Sequence, residues 1–464
     1  MTTRASTSVE TIKKEILLLA ARALGDAHAR VPSGRYVALA TRLARTDEGW
    51  LIRMLGWMGR HAPLRNLRLA TLAELAQARL ETGSAGTRQL IDQCLHRADE
   101  PGELLAYWLH WYGRALPQPV KRGIADAAAR LYDELALATY DGPGAPLRFA
   151  DVLSLTHPVP QGTRQAAVFR HAVARRRGDL DDIPASLSLL RARRALYQLP
   201  PARRPILLER SGAARTLAEA AMTGATVQRW LLGTMTGPAW AAVVPSMSYR
   251  DRLTHLAAFD RDGMPDDIAH QVAGELAEPA SVLRSGVTPL EVFTALRSVP
   301  GSRWSRALRL AMEVSLANIP ALPGRTLVLI DRGDLMAGPA SAGLTRADAA
   351  TVFGAALACR ASHAQVVALG TPVATVTVRP GEPLLDVLDR FGEGVGGSAS
   401  PAQVIRAHVT GQDRVVVLTH PDQAAEAAEA ITGPGQEHVI TDVSSGWFTA
   451  IPHVEMARTA DWPF

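Results

Sequence analysis

From residue 8 to residue 320 the apolar residues recur three to four apart in one segment after another, and no alternating strand pattern interrupts them. VETIKKEILLLAARAL, GRYVALATRLART, DEGWLIRMLGWMGRH, LRNLRLATLAELAQARLE and GTRQLIDQCLHRA open the series. Further helices are expected near 103–112, 120–139, 147–155, 163–176, 185–197 and 203–210, and seven more between 214 and 317. The breaks carry Gly, Pro, Asp or Ser, residues that end helices and shape turns. Short helices in succession bury their apolar stripes only against their neighbours, so the pattern implies an α-solenoid or a closed helical ring.

The pattern changes at Pro323-Gly324. Apolar strands at 325–330, 364–369, 373–379, 414–419 and 438–441 alternate with helices at 345–361, 383–391, 401–409 and 422–431. Such alternation implies a mostly parallel sheet covered on both faces, with its binding edge at the strand carboxyl ends. The chain is therefore read as multidomain, an all-α region over 1–322 and an α/β domain over 323–464. The two cysteines, Cys94 and Cys359, flank no cluster of metal ligands, so neither a disulfide framework nor a structural zinc site is expected. No apolar run is long enough to span a bilayer and the N-terminus has no signal-peptide pattern, so a cytoplasmic protein is expected.

The formal charge of +5 is unevenly divided. Residues 1–324 carry 41 basic and 30 acidic side chains, and residues 325–464 carry 9 and 15. Only Lys13, Lys14 and Lys121 are lysines. Arginine suits phosphate through its planar fork, although a GC-rich genome gives the same bias. Lys121 and Arg122 stand at the start of the helix expected over 120–139, where free backbone N–H groups favour an anion; they read as a phosphate seat or as a solvated helix start. His157 lies in Leu155-Thr156-His157-Pro158, expected to be extended because a proline follows it. Around it come Arg148, Arg164, Arg170 and the run Arg175-Arg176-Arg177. Between Arg164 and Arg210 there are 11 arginines and 4 acidic residues, a density that suits a polyphosphate backbone or, equally, solvated helix faces with apolar stems.

The segment from Trp111 to Pro158 carries Gly113-Arg114-Ala115-Leu116, Ile124-Ala125-Asp126, Tyr140 and Asp151-Val152-Leu153-Ser154-Leu155-Thr156-His157, with Pro160 following. This series resembles the core of the TROVE module of the Ro ribonucleoprotein family. Trp240 to Met264 and Val287 to Phe293 resemble later parts of the same module, and the similarity spans most of residues 40–320. The resemblance implies a HEAT-like helical ring, RNA binding, and a role for His157 matching a histidine that contacts structured Y RNA. The family's basic turn corresponds here to Thr139-Tyr140-Asp141-Gly142-Pro143-Gly144, which has an acid and no cation. That departure argues against recognition of a typical Y RNA.

The order of elements after Pro323 resembles a von Willebrand factor A domain, a Rossmann-like fold that follows the helical ring in Ro proteins. The metal site of that family uses Asp-x-Ser-x-Ser, a later threonine and an aspartate after the central strand. Here Asp331 is kept, the serine positions are Gly333 and Leu335, Ser398 replaces the threonine and His420 the aspartate. Asp334 is one register off. Two oxygen ligands are lost and imidazole is a poor magnesium ligand, so a remnant without metal is expected, and no cofactor. Asp331, Ser398 and His420 could also suggest a hydrolase triad, but no Gly-x-Ser-x-Gly elbow, P-loop or dinucleotide fingerprint supports an enzyme.

The sequence thus leads to a non-catalytic RNA-binding protein that holds a small noncoding, Y-RNA-like or single-stranded RNA in quality control or processing. A nuclease or RNA-repair protein is a partner class implied by the resemblance, and no membrane is involved. The candidate contacts are Lys121, Arg122, Arg148, His157, Arg164, Arg170, Arg175 and Arg176. The competing reading is a protein-interaction scaffold that keeps the fold without RNA.

Overall fold

The structure is a computed structural model that describes residues 8–179, 183–340, 343–379, 381–392, 396–397, 400–432 and 435–464. The chain forms two compact units. The first holds residues up to Ala23, Ala27–Met235 and Met456–Phe464; the second holds Leu24–Asp26 and Thr236–Glu455. Among the described residues no helix is long and apolar enough to cross a membrane.

The first unit is all helical among the described residues, and each helix packs on near neighbours in sequence. Gly34–Thr46 lies on Arg65–Thr82, Thr87–Cys94 on Gln118–Leu131, and Phe149–Thr156 on both Gln118–Leu131 and Thr163–Arg176. Gln118–Leu131 buries Val120, Ile124, Ala127 and Ala128 along one stripe. Gly123 in that stripe lets the helix approach Thr87–Cys94 closely, since a β-carbon there would sit 2.8 Å from both the Arg88 carbonyl and the Ile91 side chain. At the end of the chain, Trp462 and Phe464 set their rings edge-on to the buried Trp50, with centroids 5.2 and 5.3 Å away.

The helix expected over 120–139 is two helices, Gln118–Leu131 and Glu134–Tyr140. Asp133 breaks it by accepting a hydrogen bond from the Ala136 N–H at 2.7 Å, the N-cap arrangement that competes with helix continuation. The break turns Tyr132 inward, where it stacks flat on Phe149 at 3.7 Å. It also leaves Leu135 51% exposed.

In the second unit, helices from Gly237–Val243 to Ser305–Ser315 lead into a five-stranded sheet. The strands are β1 Leu322–Asp331, β2 Ala361–Leu369, β3 Ala374–Val376, β4 Arg414–Leu418 and β5 Gln436–Ile440, in the order β3-β2-β1-β4-β5. All pairings are parallel except β2 with β3, a short antiparallel edge where a longer strand over 373–379 is expected from sequence. Leu327, Leu329, Val367, Val415 and Val417 bury one sheet face under Ala402, Ile405 and Ala427. On the other face the Arg346–Arg360 helix approaches so closely that a β-carbon at Gly354 would meet Ile330 at 2.6 Å.

The helices before the sheet, which the sequence groups with the all-α region over 1–322, lie in this unit by contact. Glu313 accepts the Leu384 N–H at 2.9 Å, and Arg360 donates to the Ile319 carbonyl at 2.9 Å. Under the sheet, half-buried Glu455 accepts from Arg414 and lies 3.0 Å from His438 Nε2. Burial pushes the Glu455 carboxyl up, but His438 and Arg414 outweigh it and hold it below the usual glutamate range. A depressed carboxylate stabilises the fold above its unfolded pKa, and that contribution disappears as pH falls through the folded value. Glu455→Gln is expected to cost about 1–3 kcal/mol at neutral pH. It should also flatten the loss of stability between about pH 5 and about pH 3. Urea titrations of both proteins across that range check this; parallel acid limbs would refute the assignment.

Candidate functional site

The candidate site lies in the first unit, where Phe149–Thr156 meets Thr163–Arg176. His157 ends the first of these helices. Its N–H donates to the Leu153 carbonyl at 3.0 Å and its backbone is left-handed, at φ 52 and ψ 57. Closing the last helical turn overrides the extended preference expected before Pro158. The exposed imidazole faces a surface groove of about 480 Å³, floored by Leu153, Phe169 and Val173 and rimmed by His157, Arg170 and Arg177. Arg170 and Arg177 are both exposed, and neither pairs with any described residue. Seven residues apart, they share one helix face.

The remaining cations of this helix turn elsewhere. Arg175 is half-buried, 3.9 Å from the Asp141 carboxylate and 3.3 Å from the Asp141 carbonyl, and burial lowers its pKa. Arg148 donates to the same carboxylate at 2.9 Å, and the Phe149 N–H donates to it at 2.8 Å. Asp141, an acid in the turn where the resembling family has basic residues, is thus the buried anchor of two arginines. Arg176 pairs with Asp151 at 3.2 Å, and Arg164 with the buried Glu134 at 2.7 Å. Further along the basic tract, Arg204 is buried over Trp230 and donates to the Leu199 carbonyl at 3.0 Å.

The structure therefore divides the eight residues singled out from sequence. Arg148, Arg164, Arg175 and Arg176 are held in intramolecular ion pairs. His157 and Arg170 come together at the groove, while Lys121 and Arg122 stand in the first turns of Gln118–Leu131, unpaired with any described residue. Arg177 joins the site, and its spacing of seven from Arg170 was the signal for it. Trp111, 63% exposed at the end of Glu100–Trp111, is a second addition. Its helix packs on both Gln118–Leu131 and Phe149–Thr156.

In the second unit, Asp331 is buried at the carboxyl end of β1. One carboxylate oxygen accepts from the Gly333 N–H and the other from the Thr419 hydroxyl, each at 2.8 Å. Gly333 has no room for a side chain, because a β-carbon would lie 2.9 Å from the Gly397 carbonyl. Leu335 points outward, and His420 Nδ1 lies 3.3 Å from Asp422. Ser398 lies outside the described residues. Among the described residues no three His, Cys, Asp or Glu side chains gather in a metal-binding group.

The division of the arginines is open to measurement. Arg148→Met strands the buried Asp141 carboxylate and is expected to lower stability by about 3 kcal/mol. Arg170→Ala and Arg177→Ala should each stay within about 0.5 kcal/mol of the parent. Denaturant unfolding of the three variants decides it, and equal losses in all three would contradict the division.

No protein-family model matches the chain, and no curated protein matches it. The crystal structure of the Ro (RSR) protein of Deinococcus radiodurans is similar, with 17% sequence identity, coverage of 91% of this chain and 93% of that chain, and a TM-score of 0.67. Helical repeats followed by a mostly parallel α/β domain, matched over nearly the whole length of both chains, give this protein a Ro-like fold.

Proposed function

We propose that this protein binds RNA through the groove rimmed by His157, Arg170 and Arg177. The observation that carries the reading is the contrast in the basic tract: four of the eight candidate residues are neutralised internally, whereas the groove keeps exposed cations around an apolar floor. Guanidinium forks take backbone phosphates, and the groove floor and exposed Trp111 offer apolar or stacking surface to unpaired bases. Lys121 and Arg122 extend the positive surface on the neighbouring helix. The Ro-like fold supports RNA as the partner class, and the segment containing His157 supports this location. The ligand favoured is a small noncoding RNA or a single-stranded end; the lack of a cation in the turn over 139–144 disfavours a typical Y RNA. The role is non-catalytic presentation of RNA during quality control or processing, with a nuclease or repair enzyme as the partner that acts on it.

Binding of labelled single-stranded and structured RNA should weaken about tenfold or more between about 50 and about 200 mM salt. Arg170→Ala with Arg177→Ala should reduce the salt slope by about 1.5–2. A flat salt response, or no binding, favours the protein-interaction scaffold. An unchanged slope in the double variant moves the site to another part of the basic tract.

The second unit is proposed to work without a divalent metal. The residues at the β1 edge do not fit magnesium: both serine hydroxyls are missing, and Asp331 already accepts two hydrogen bonds. Calorimetric titration with magnesium is expected to show no stoichiometric tight binding. Tight binding that disappears in Asp331→Ala would overturn this.

A further inference from the structure

We propose that the second unit carries a separate site for a nucleoside phosphate, in a cavity of about 970 Å³ between its last two helices before the sheet and the carboxyl end of β1. Pro289–Ser298 and Ser305–Ser315 pack on one another and contribute Arg297 and Arg309 to its wall. Both guanidiniums are exposed, and neither pairs with any described residue. Arg332, next in sequence after β1, forms a third cationic wall. Its terminal nitrogens donate to the Phe391 and Gly392 carbonyls, which hold the guanidinium in place at the cavity edge.

Two carboxylates also face the cavity. Asp348 is already engaged, accepting from the Thr345 N–H at 3.1 Å and the Thr345 hydroxyl at 2.9 Å to cap the Arg346–Arg360 helix. With Asp389 it opposes three arginines, so the lining keeps a net positive charge and favours an anion. Phe293, Leu296 and Leu388 give the cavity an apolar part, beside Ser305 and Thr351. Phe293 lies one helical turn before Arg297, on the same side of the helix. An aromatic ring one turn from an open guanidinium suits a ligand that is flat at one end and rich in oxygens at the other. Inorganic phosphate would leave the apolar half unused, and a nucleoside would leave the arginines unused.

The position in the sheet supports the same reading. With strand order β3-β2-β1-β4-β5, the chain moves to one side of β1 for β2 and to the other for β4. Open α/β sheets bind ligands beyond the strand carboxyl ends, and Arg332, the residue after β1, puts one wall of the cavity there. A free nucleotide and the phosphorylated end of a nucleic acid present the same chemistry to this cavity.

The test is calorimetry on the full-length protein with AMP, inorganic phosphate, adenosine, and a short oligoadenylate with and without a 5′-phosphate. AMP is expected to bind at least tenfold more tightly than phosphate or adenosine. Arg297→Gln with Arg309→Gln should weaken AMP at least tenfold, and Phe293→Leu should weaken AMP but not phosphate. Arg309→Lys, which keeps the charge and loses the fork, gives a milder probe should the double variant fold poorly, and it too should weaken AMP. Arg170→Ala with Arg177→Ala should leave AMP binding intact, which separates this cavity from the groove of the first unit. Selective binding of the 5′-phosphorylated oligonucleotide, lost in the same variants, assigns the site to a chain end; binding of AMP alone assigns it to free nucleotide. AMP binding no tighter than phosphate, or unchanged in both arginine variants, overturns the proposal.

Discussion

The buried carboxylate of Asp141 is the interaction on which the groove depends. It accepts the first N–H of Phe149–Thr156 and holds Arg148 and Arg175 from two different helices. A lone carboxylate at that depth would be costly, and it is tolerated because its acceptor positions are filled by charged or backbone donors. Fixing Arg175 inward also fixes the rotation of Thr163–Arg176. At 100° per residue, Arg170 and Arg177 lie within about 20° of each other and roughly 140–160° from Arg175. One internal ion pair thus sets which arginines of a dense basic run face solvent.

This dependence explains which parts were legible in the sequence. Apolar periodicity gave the helical region and the alternating α/β region because burial follows from pattern. The stop at Tyr132-Asp133 was written in the aspartate cap, but an equally good apolar stripe ran through it. Only the packing of Tyr132 on Phe149 decides between the two. The left-handed turn at His157 was hidden for a related reason, since the proline rule describes a local preference and the helix-closing hydrogen bond overrides it. The pairing of Arg164 with Glu134 joins residues 30 apart and could not be read from charge density.

The α/β edge was more legible because it concerns chemical identity more than partner choice. Glycine and leucine supply no hydroxyl wherever they are placed, so the expectation that two metal ligands are missing rests on residue identity alone. What the structure adds is a role for Asp331. Its carboxylate joins the loop after β1 to Thr419, the residue after β4, through the Gly333 N–H and the Thr419 hydroxyl. A side chain suited to holding a cation can also hold two loops of its own protein, because both tasks require a buried, well-directed oxygen acceptor.

The same distinction bears on the arginine content. A genome rich in GC places arginine throughout a protein, and many arginines here are paired: Arg35 with Glu15, Arg45 with Glu81, Arg88 with Asp126, Arg130 with Asp92. These pairs are mostly exposed and each contributes little to stability, but they neutralise charge that would otherwise attract any polyanion. Composition alone therefore says little about nucleic acid. The informative set is the small number of cations left open beside apolar surface, at Arg170 and Arg177 in one unit and at Arg297 and Arg309 in the other. An arginine that serves only as a solvated surface residue has no need of a groove. Where open guanidiniums and apolar walls coincide, the surface is complementary to a ligand that is both anionic and flat.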